Sequence, residues 1–181
     1  LVTSAYYNKK IFIILLILNL IFAIYLLPNG GYFHQNKDAH AVMVWQGSEN
    51  NTIQNNLMYQ LSGDGIHVIN DNQRQGRLAK DVRILNNQIY AVRENCIDVK
   101  TSQNVLIQDN ECSGVLPSFT SSDGTGIIIH AGADNVKILN NQISNTRRGI
   151  SVTKGSVSNS PTEYPGEIEI THNTITSPID T

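Results

Sequence analysis

His67, Asp98, Lys100 and His130 are spaced so that they could share one site. His67 holds the third place of Gly65-Ile66-His67-Val68, and Asp98 holds the third place of the next such block, Cys96-Ile97-Asp98-Val99. Lys100 follows that block directly, and His130 follows Gly126-Ile127-Ile128-Ile129 in the same way. If these blocks are strands stacked in register, like positions lie about 4.8 Å apart, so His67 meets Asp98 and Lys100 meets His130. Such a set offers a base in Lys100 or His130 and a carboxylate in Asp98. Trp45 heads the same face and offers a flat surface for a sugar ring. Such groups could carry a β-elimination, which needs a neutralised carboxylate, removal of the proton on the adjacent carbon and a protonated leaving oxygen. Lys100 would serve as the base if burial and neighbouring cations lowered its pKa, with Arg93, Arg147 or Arg148 binding the carboxylate. Calcium held by Asp64, Glu94 and Asp98 would assist, because such ions take several oxygens. A solvated strand face carrying no chemistry shows the same mixture of side chains.

The elements that must position these residues are legible as repeats. Five blocks align without gaps and end in Asn56, Asn87, Asn110, Asn141 and Asn173. One of the steps between these Asn is short and the other three are longer by a similar amount, which fits a basic coil of roughly 23 residues carrying loop insertions. Two places after each Asn stands Met58, Ile89, Cys112, Ile143 or Ile175. Between these blocks lie Gly65-Ile66-His67-Val68, Cys96-Ile97-Asp98-Val99, Gly126-Ile127-Ile128-Ile129 and Gly149-Ile150-Ser151-Val152, with Ala41-Val42-Met43-Val44 opening the series. Their alternation is that of a half-buried strand, so each period holds at least two strands. The first set alone also fits a leucine-rich repeat, but glycine followed by β-branched residues is a poor helix and a good strand.

The expected fold is therefore all-β: a right-handed parallel β-helix of about five to six coils. Interior ladders such as Ile66, Ile97, Ile127 and Ile150 fill it, and the five Asn line one corner, satisfying backbone groups that the bend leaves unpaired. Composition agrees, with 23 Ile and 21 Asn against an aromatic content of 7%. Residues 38–181 carry 10 Lys+Arg against 15 Asp+Glu, a balance that would repel nucleic acid.

From about residue 38 the chain resembles the right-handed parallel β-helix repeat proteins of the pectin-lyase-like superfamily. That resemblance implies a fold shared by polysaccharide lyases, glycoside hydrolases, epimerases, tailspikes and adhesins, so it implies no single activity. The series Gly63-Asp64-Gly65, Glu94-Asn95-Cys96, Gly124-Thr125-Gly126 and Arg148-Gly149 is similar to the polygalacturonase motifs. It departs where their chemistry lies, since only Asp64 keeps a carboxylate, Asn95 replaces an acid and Thr125 replaces a His. Hydrolysis needs two carboxylates, which argues against that activity.

Residues 11–27 are apolar apart from Asn19 and follow Lys9 and Lys10. As a helix they would span roughly 25 Å, between a signal peptide and a full span of the ~30 Å hydrocarbon core. Residues 1–29 therefore read as a signal peptide or a membrane anchor, and residues 30–181 as a β-helix domain outside the cytoplasm. The domain ends within a repeat and reads as truncated. Cys112 falls in the interior column of Ile89 and Ile143 and reads as a small core residue, while Cys96 takes a place that is Gly in other coils. A disulfide between them is the alternative if the domain is exported. Insertions at 69–79, 113–123 and 153–166 are polar surface loops that could wall a groove. His34 and His40 receive no role. The functional expectation is binding of an acidic polysaccharide, with cleavage by β-elimination as a further step. The alternative is a non-catalytic structural or surface-interaction module.

Overall fold

A computed structural model of the chain describes residues 38–70, 78–115, 124–155 and 163–176. The apolar segment 11–27, His34 and most of the three insertions lie outside the described residues. Among the described residues, fifteen strands wind as five coils of three. The first coil holds β1 (Val42–Val44), β2 (Thr52–Gln54) and β3 (Leu57–Leu61), and the second β4 (Ile66–Val68), β5 (Ala79–Leu85) and β6 (Gln88–Val92). The third holds β7 (Ile97–Lys100), β8 (Ser102–Gln108) and β9 (Glu111–Ser113), and the fourth β10 (Thr125–His130), β11 (Asp134–Leu139) and β12 (Gln142–Ser144). The fifth holds β13 (Arg148–Val152), β14 (Ile168–Thr171) and β15 (Thr174–Thr176).

Each strand pairs in parallel with its counterparts in the neighbouring coils. This gives sheet A (β1-β4-β7-β10-β13), sheet B (β2-β5-β8-β11-β14) and sheet C (β3-β6-β9-β12-β15). The alternation in sequence revealed two strands per coil; the third, sheet C, was visible only as the apolar residue two places after each Asn. Its strands run as short as 3 residues, too short to show a period of their own.

The registers place Ile66, Ile97, Ile127 and Ile150 in one ladder. With Ile53, Ile84, Ile107 and Ile138 from sheet B and Met58, Ile89 and Ile143 from sheet C, apolar side chains, nearly all of them branched, fill the cylinder. Between sheets B and C the chain turns in two residues. The first takes a left-handed conformation at Asn55, Asn86, Asp109, Asn140 and His172, with φ of 50–59°. Asn, Asp and His tolerate this region better than most side chains. The second is the ladder Asn. Nδ2 of Asn110 donates to Ile84 O, Gln108 O and Asn141 Oδ1 at 2.9–3.1 Å, while its Oδ1 accepts from N and Nδ2 of Asn87 at 2.9 and 3.0 Å. Asn87, Asn110 and Asn141 are fully buried, and these bonds offset the cost of burying an amide.

Glycine recurs where sheet A begins because the Ile of sheet C occupies the space. A Cβ on Gly65 would lie 2.5 Å from Ile89 Cγ2, one on Gly126 would lie 2.6 Å from Ile143 Cγ2, and one on Gly149 would lie 2.6 Å from Ile175 Cγ2. In the third coil both partners change together. Cys96 replaces the glycine, Cys112 replaces the isoleucine, and the two form a disulfide with Cα atoms 6.0 Å apart. Cys112 does stand between Ile89 and Ile143, as its spacing predicted, but as half of a bridge and not as a lone core thiol.

Candidate functional site

Parity within sheet A sends Met43, His67, Asp98, Ile128 and Ser151 to the outer face in one column, as their registers show. Lys100 and His130 form the next column at the C-terminal ends of β7 and β10. The outward direction is as the sequence predicted, but the environment is not an open solvated face. Asp98 is 3% exposed and His67 is 7% exposed.

The pairing is tighter than a simple column. Asp98 Oδ1 lies 2.9 Å from His130 Nε2, and Asp98 Oδ2 lies 2.9 Å from Lys100 Nζ. Both neighbours meet on one carboxylate, and His67 Nε2 stands 3.9 Å from Oδ2. Burial works to raise the Asp98 pKa, yet the His130 hydrogen bond and the charge of Lys100 outweigh it and hold the carboxyl below its ordinary range. An ionised carboxylate only accepts, so His130 donates to it from Nε2, and in the neutral imidazole Nδ1 is then the acceptor.

Lys100 differs from the sequence expectation. Burial alone would lower its pKa, but the Asp98 charge and hydrogen bond more than reverse this, and the pKa is raised. It therefore holds a cation and makes a poor base. His67 moves down instead, chiefly through burial, with Lys100 and His40 adding to the effect.

A second cluster adjoins the first. Asp64 accepts at Oδ1 from N and Nδ2 of Asn95, both at 2.9 Å. Its Oδ2 faces His40 Nδ1 at 3.2 Å and His67 Nδ1 at 3.5 Å. His40 Nε2 lies 3.3 Å from His67 Nδ1. The hydrogen bond with Asp64 raises the His40 pKa against the opposing effect of burial. Sequence reasoning left His40 without a role. The signal that would have found it is its place two residues before Val42, the slot that Asp64 holds before Ile66.

The proposed calcium ligands do not converge. Asp98 is bound to Lys100 and His130, Asp64 to Asn95 and His40, and Glu94 to Arg93 at 3.0 Å. Glu94 is also pushed up to about 7 by burial and by the charges of Asp64 and Asp38, so it is a weak ligand near neutrality. Among the described residues, the group of His, Cys, Asp and Glu that does gather is His40, Asp64 and His67.

Arg93 is mostly buried and bridges Asp38, Glu94 and the Ser62 carbonyl, which makes it a tie between coils. Arg147 and Arg148 are exposed at the start of β13, at the opposite end of the sheet A strands from Lys100 and His130. Trp45 is 41% exposed, just beyond β1. An aromatic pair that the sequence reading passed over lies on sheet C. Tyr59 and Tyr90 stack with centroids 5.3 Å apart, both exposed.

The backbone next to the Asp98 cluster is unusual. Thr101 and Ala131, immediately after Lys100 and His130, adopt φ of 43° and 52°. A β-branched residue is seldom found there, and the bond from Thr101 Oγ1 to Ala131 O at 2.6 Å holds the pair in place. A polar hollow lies elsewhere, at the turn between sheets B and C beside Asn86, Asn87, Asp109 and Asn110.

Three parallel sheets stacked coil on coil, closed by an interior amide ladder and carrying a buried ionic cluster on one outer face, define a parallel β-helix protein. Residues 24–179 match the family model described as right handed beta helix region, and the chain belongs to that family. Comparison with curated proteins and with solved structures gives no match.

Proposed function

We propose that this protein works outside the cytoplasm and binds an acidic polysaccharide along the outer face of sheet A, with β-elimination as its reaction. The observation that carries the reading is Asp98, a buried carboxylate on the central strand of sheet A that engages both Lys100 and His130 at 2.9 Å. Removing such a charge from water is costly, and perturbed, buried ionic groups of this kind cluster at functional sites. Export is supported by the disulfide, since such bonds persist in oxidising compartments.

In this reading His130 is the base and Asp98 fixes its tautomer. His130 Nδ1 takes the ring proton next to the uronate carboxylate, whose charge Lys100 offsets. The carbon–hydrogen electron pair becomes the new carbon–carbon double bond, the glycosidic electron pair leaves on its oxygen, and that oxygen takes a proton from solvent water, to which His130 then returns its own. Trp45 would stack on a neighbouring sugar. The rival reading is a non-catalytic scaffold, favoured by one observation: both oxygens of Asp98 and Oδ1 of Asp64 are already taken by internal partners.

The test is a panel of uronate-rich polysaccharides, following unsaturated-uronate absorbance and the fluorescence of Trp45, the single tryptophan. We expect product that falls at least about 100-fold in His130→Ala, in line with loss of a general base. Binding without product would keep the recognition and remove the catalysis. Neither signal from a folded sample would leave the scaffold.

A further inference from the structure

We propose that His40, Asp64 and His67 form a binding site for one divalent ion of the zinc class, with a coordination position left open. The three side chains come from two adjacent coils. Pairing of Val42 with Ile66 sets residue 40 beside residue 64, and the strand β4 returns His67 to the same spot. Their ligand atoms all lie within 4.8 Å of one another. Asp64 Oδ2 lies 3.2 Å from His40 Nδ1 and 3.5 Å from His67 Nδ1, both close to the roughly 3.3 Å that separates two ligands of a tetrahedral zinc. His40 Nδ1 accepts from the Asp64 backbone N–H at 3.0 Å while its Nε2 stands 3.3 Å from His67 Nδ1, so on binding His40 exchanges that hydrogen bond for the ion.

The two rings are not arranged as an ordinary hydrogen-bonded pair. Their centroids are 4.6 Å apart and their planes meet at 77°, closer than a head-on N–H···N bond would place them. A second observation is independent of these distances: His67 is 7% exposed, and its buried Nε2 has no hydrogen-bond partner. Asp98 Oδ2, 3.9 Å away, is the acceptor it lacks. Metal-bound histidines usually give their second ring N–H to a carboxylate, and a small turn of the ring toward Asp98 would complete that pair.

The surroundings orient the ligands. Asn95 occupies Asp64 Oδ1 with two hydrogen bonds and leaves Oδ2 for the ion. Gly63 makes room for His40, since a Cβ there would lie 2.9 Å from His40 Nδ1. Two imidazoles and one carboxylate suit zinc and its neighbours, and they suit calcium poorly, since calcium takes six to eight oxygens. Three protein ligands with a vacant fourth place also distinguish a reactive zinc site from a structural one.

The test uses the purified chain, stripped with a chelator and titrated with zinc in equilibrium dialysis, with calcium as the comparison ion. The expected result is one zinc per chain, little affected by excess calcium, with X-ray absorption showing two imidazole ligands. Affinity should fall at least about 100-fold in His67→Ala and in Asp64→Asn, each checked for its disulfide and circular dichroism. Because these variants could misfold, Asn95→Ala gives a second reading. It spares every ligand and should weaken zinc about 10–100-fold by freeing Asp64 to turn. Failure of the folded wild-type chain to take up zinc would overturn the proposal. So would uptake unchanged in a folded His67→Ala, or an absorption spectrum without imidazole.

Discussion

Glu94 sits where two acids and one cation compete for it. Burial and the charges of Asp64 and Asp38 raise its pKa from 4.5 to about 7 in spite of Arg93. Since the folded state then holds the proton more tightly than the unfolded chain, Glu94 contributes stability below its unfolded value. That contribution is lost as pH rises through about 7. A shift of this size corresponds to at most on the order of 3 kcal/mol, reduced by the screening of solvent at the partly open site. Asp98 has the opposite sign: its lowered pKa gives stability that is present above the ordinary carboxylate range and lost only in acid. The pKa of His40 is raised, chiefly by its hydrogen bond with Asp64, and that of His67 is lowered, chiefly by burial, so a difference between two proteins isolates Glu94 best. We expect Glu94→Gln to gain on wild type in urea midpoint between pH 5 and 8, with the gap closing below pH 4. Parallel curves for the two proteins would mean that the carboxyl titrates normally. The positions of His67, Asp98, Lys100 and His130 were legible in the sequence, because outward residues follow from parity. Their protonation was not, because it depends on which neighbour reaches the carboxylate first.

At the level of the element, four of the five coils solve one packing problem where the start of sheet A meets sheet C. Three coils pair glycine with isoleucine, and one pairs Cys96 with Cys112. The two solutions occupy matching register positions, since Cys96 is flanked by Gly65 and Gly126, and Cys112 by Ile89 and Ile143. The joint substitution Gly126→Cys with Ile143→Cys should therefore form a second disulfide once the strand shifts to clear the Gly149 carbonyl, 2.7 Å from the new Cβ, observed as loss of free thiol and a mass two hydrogens lower. Gly126→Cys alone should destabilise by about 1–3 kcal/mol, because its side chain collides with Ile143 Cγ2 and with the Gly149 carbonyl. A double variant that folds but keeps both thiols reduced would show that the coils are not equivalent at this point. The glycine column could be read from the sequence, and so could the column of Cys112. That the two columns touch could not, because the contact crosses the cylinder between residues distant in the chain.

For the whole molecule, stability is the sum of neighbouring coils, and the disulfide ties together two sheets of the central one. Its two cysteines stand at a sequence separation of 16, which in the chain-entropy account is worth about 3 kcal/mol. Reduction should lower the thermal midpoint by several degrees, and alkylated protein should keep parallel-sheet circular dichroism, since the Ile ladders and the Asn corner remain. Complete unfolding on reduction would place the bridge among the conditions for folding. The repeat, the parallel β-helix, the Asn corner and the direction of the sheet A side chains can be read from the order of residues. These are local and periodic, and stacking copies one coil onto the next. The third sheet, the bond between Cys96 and Cys112, the burial of Asp98 and the meeting of His40 with Asp64 and His67 emerge in three dimensions alone. Those depend on distances across and between coils, where a shift of an ångström separates a hydrogen bond from an empty contact.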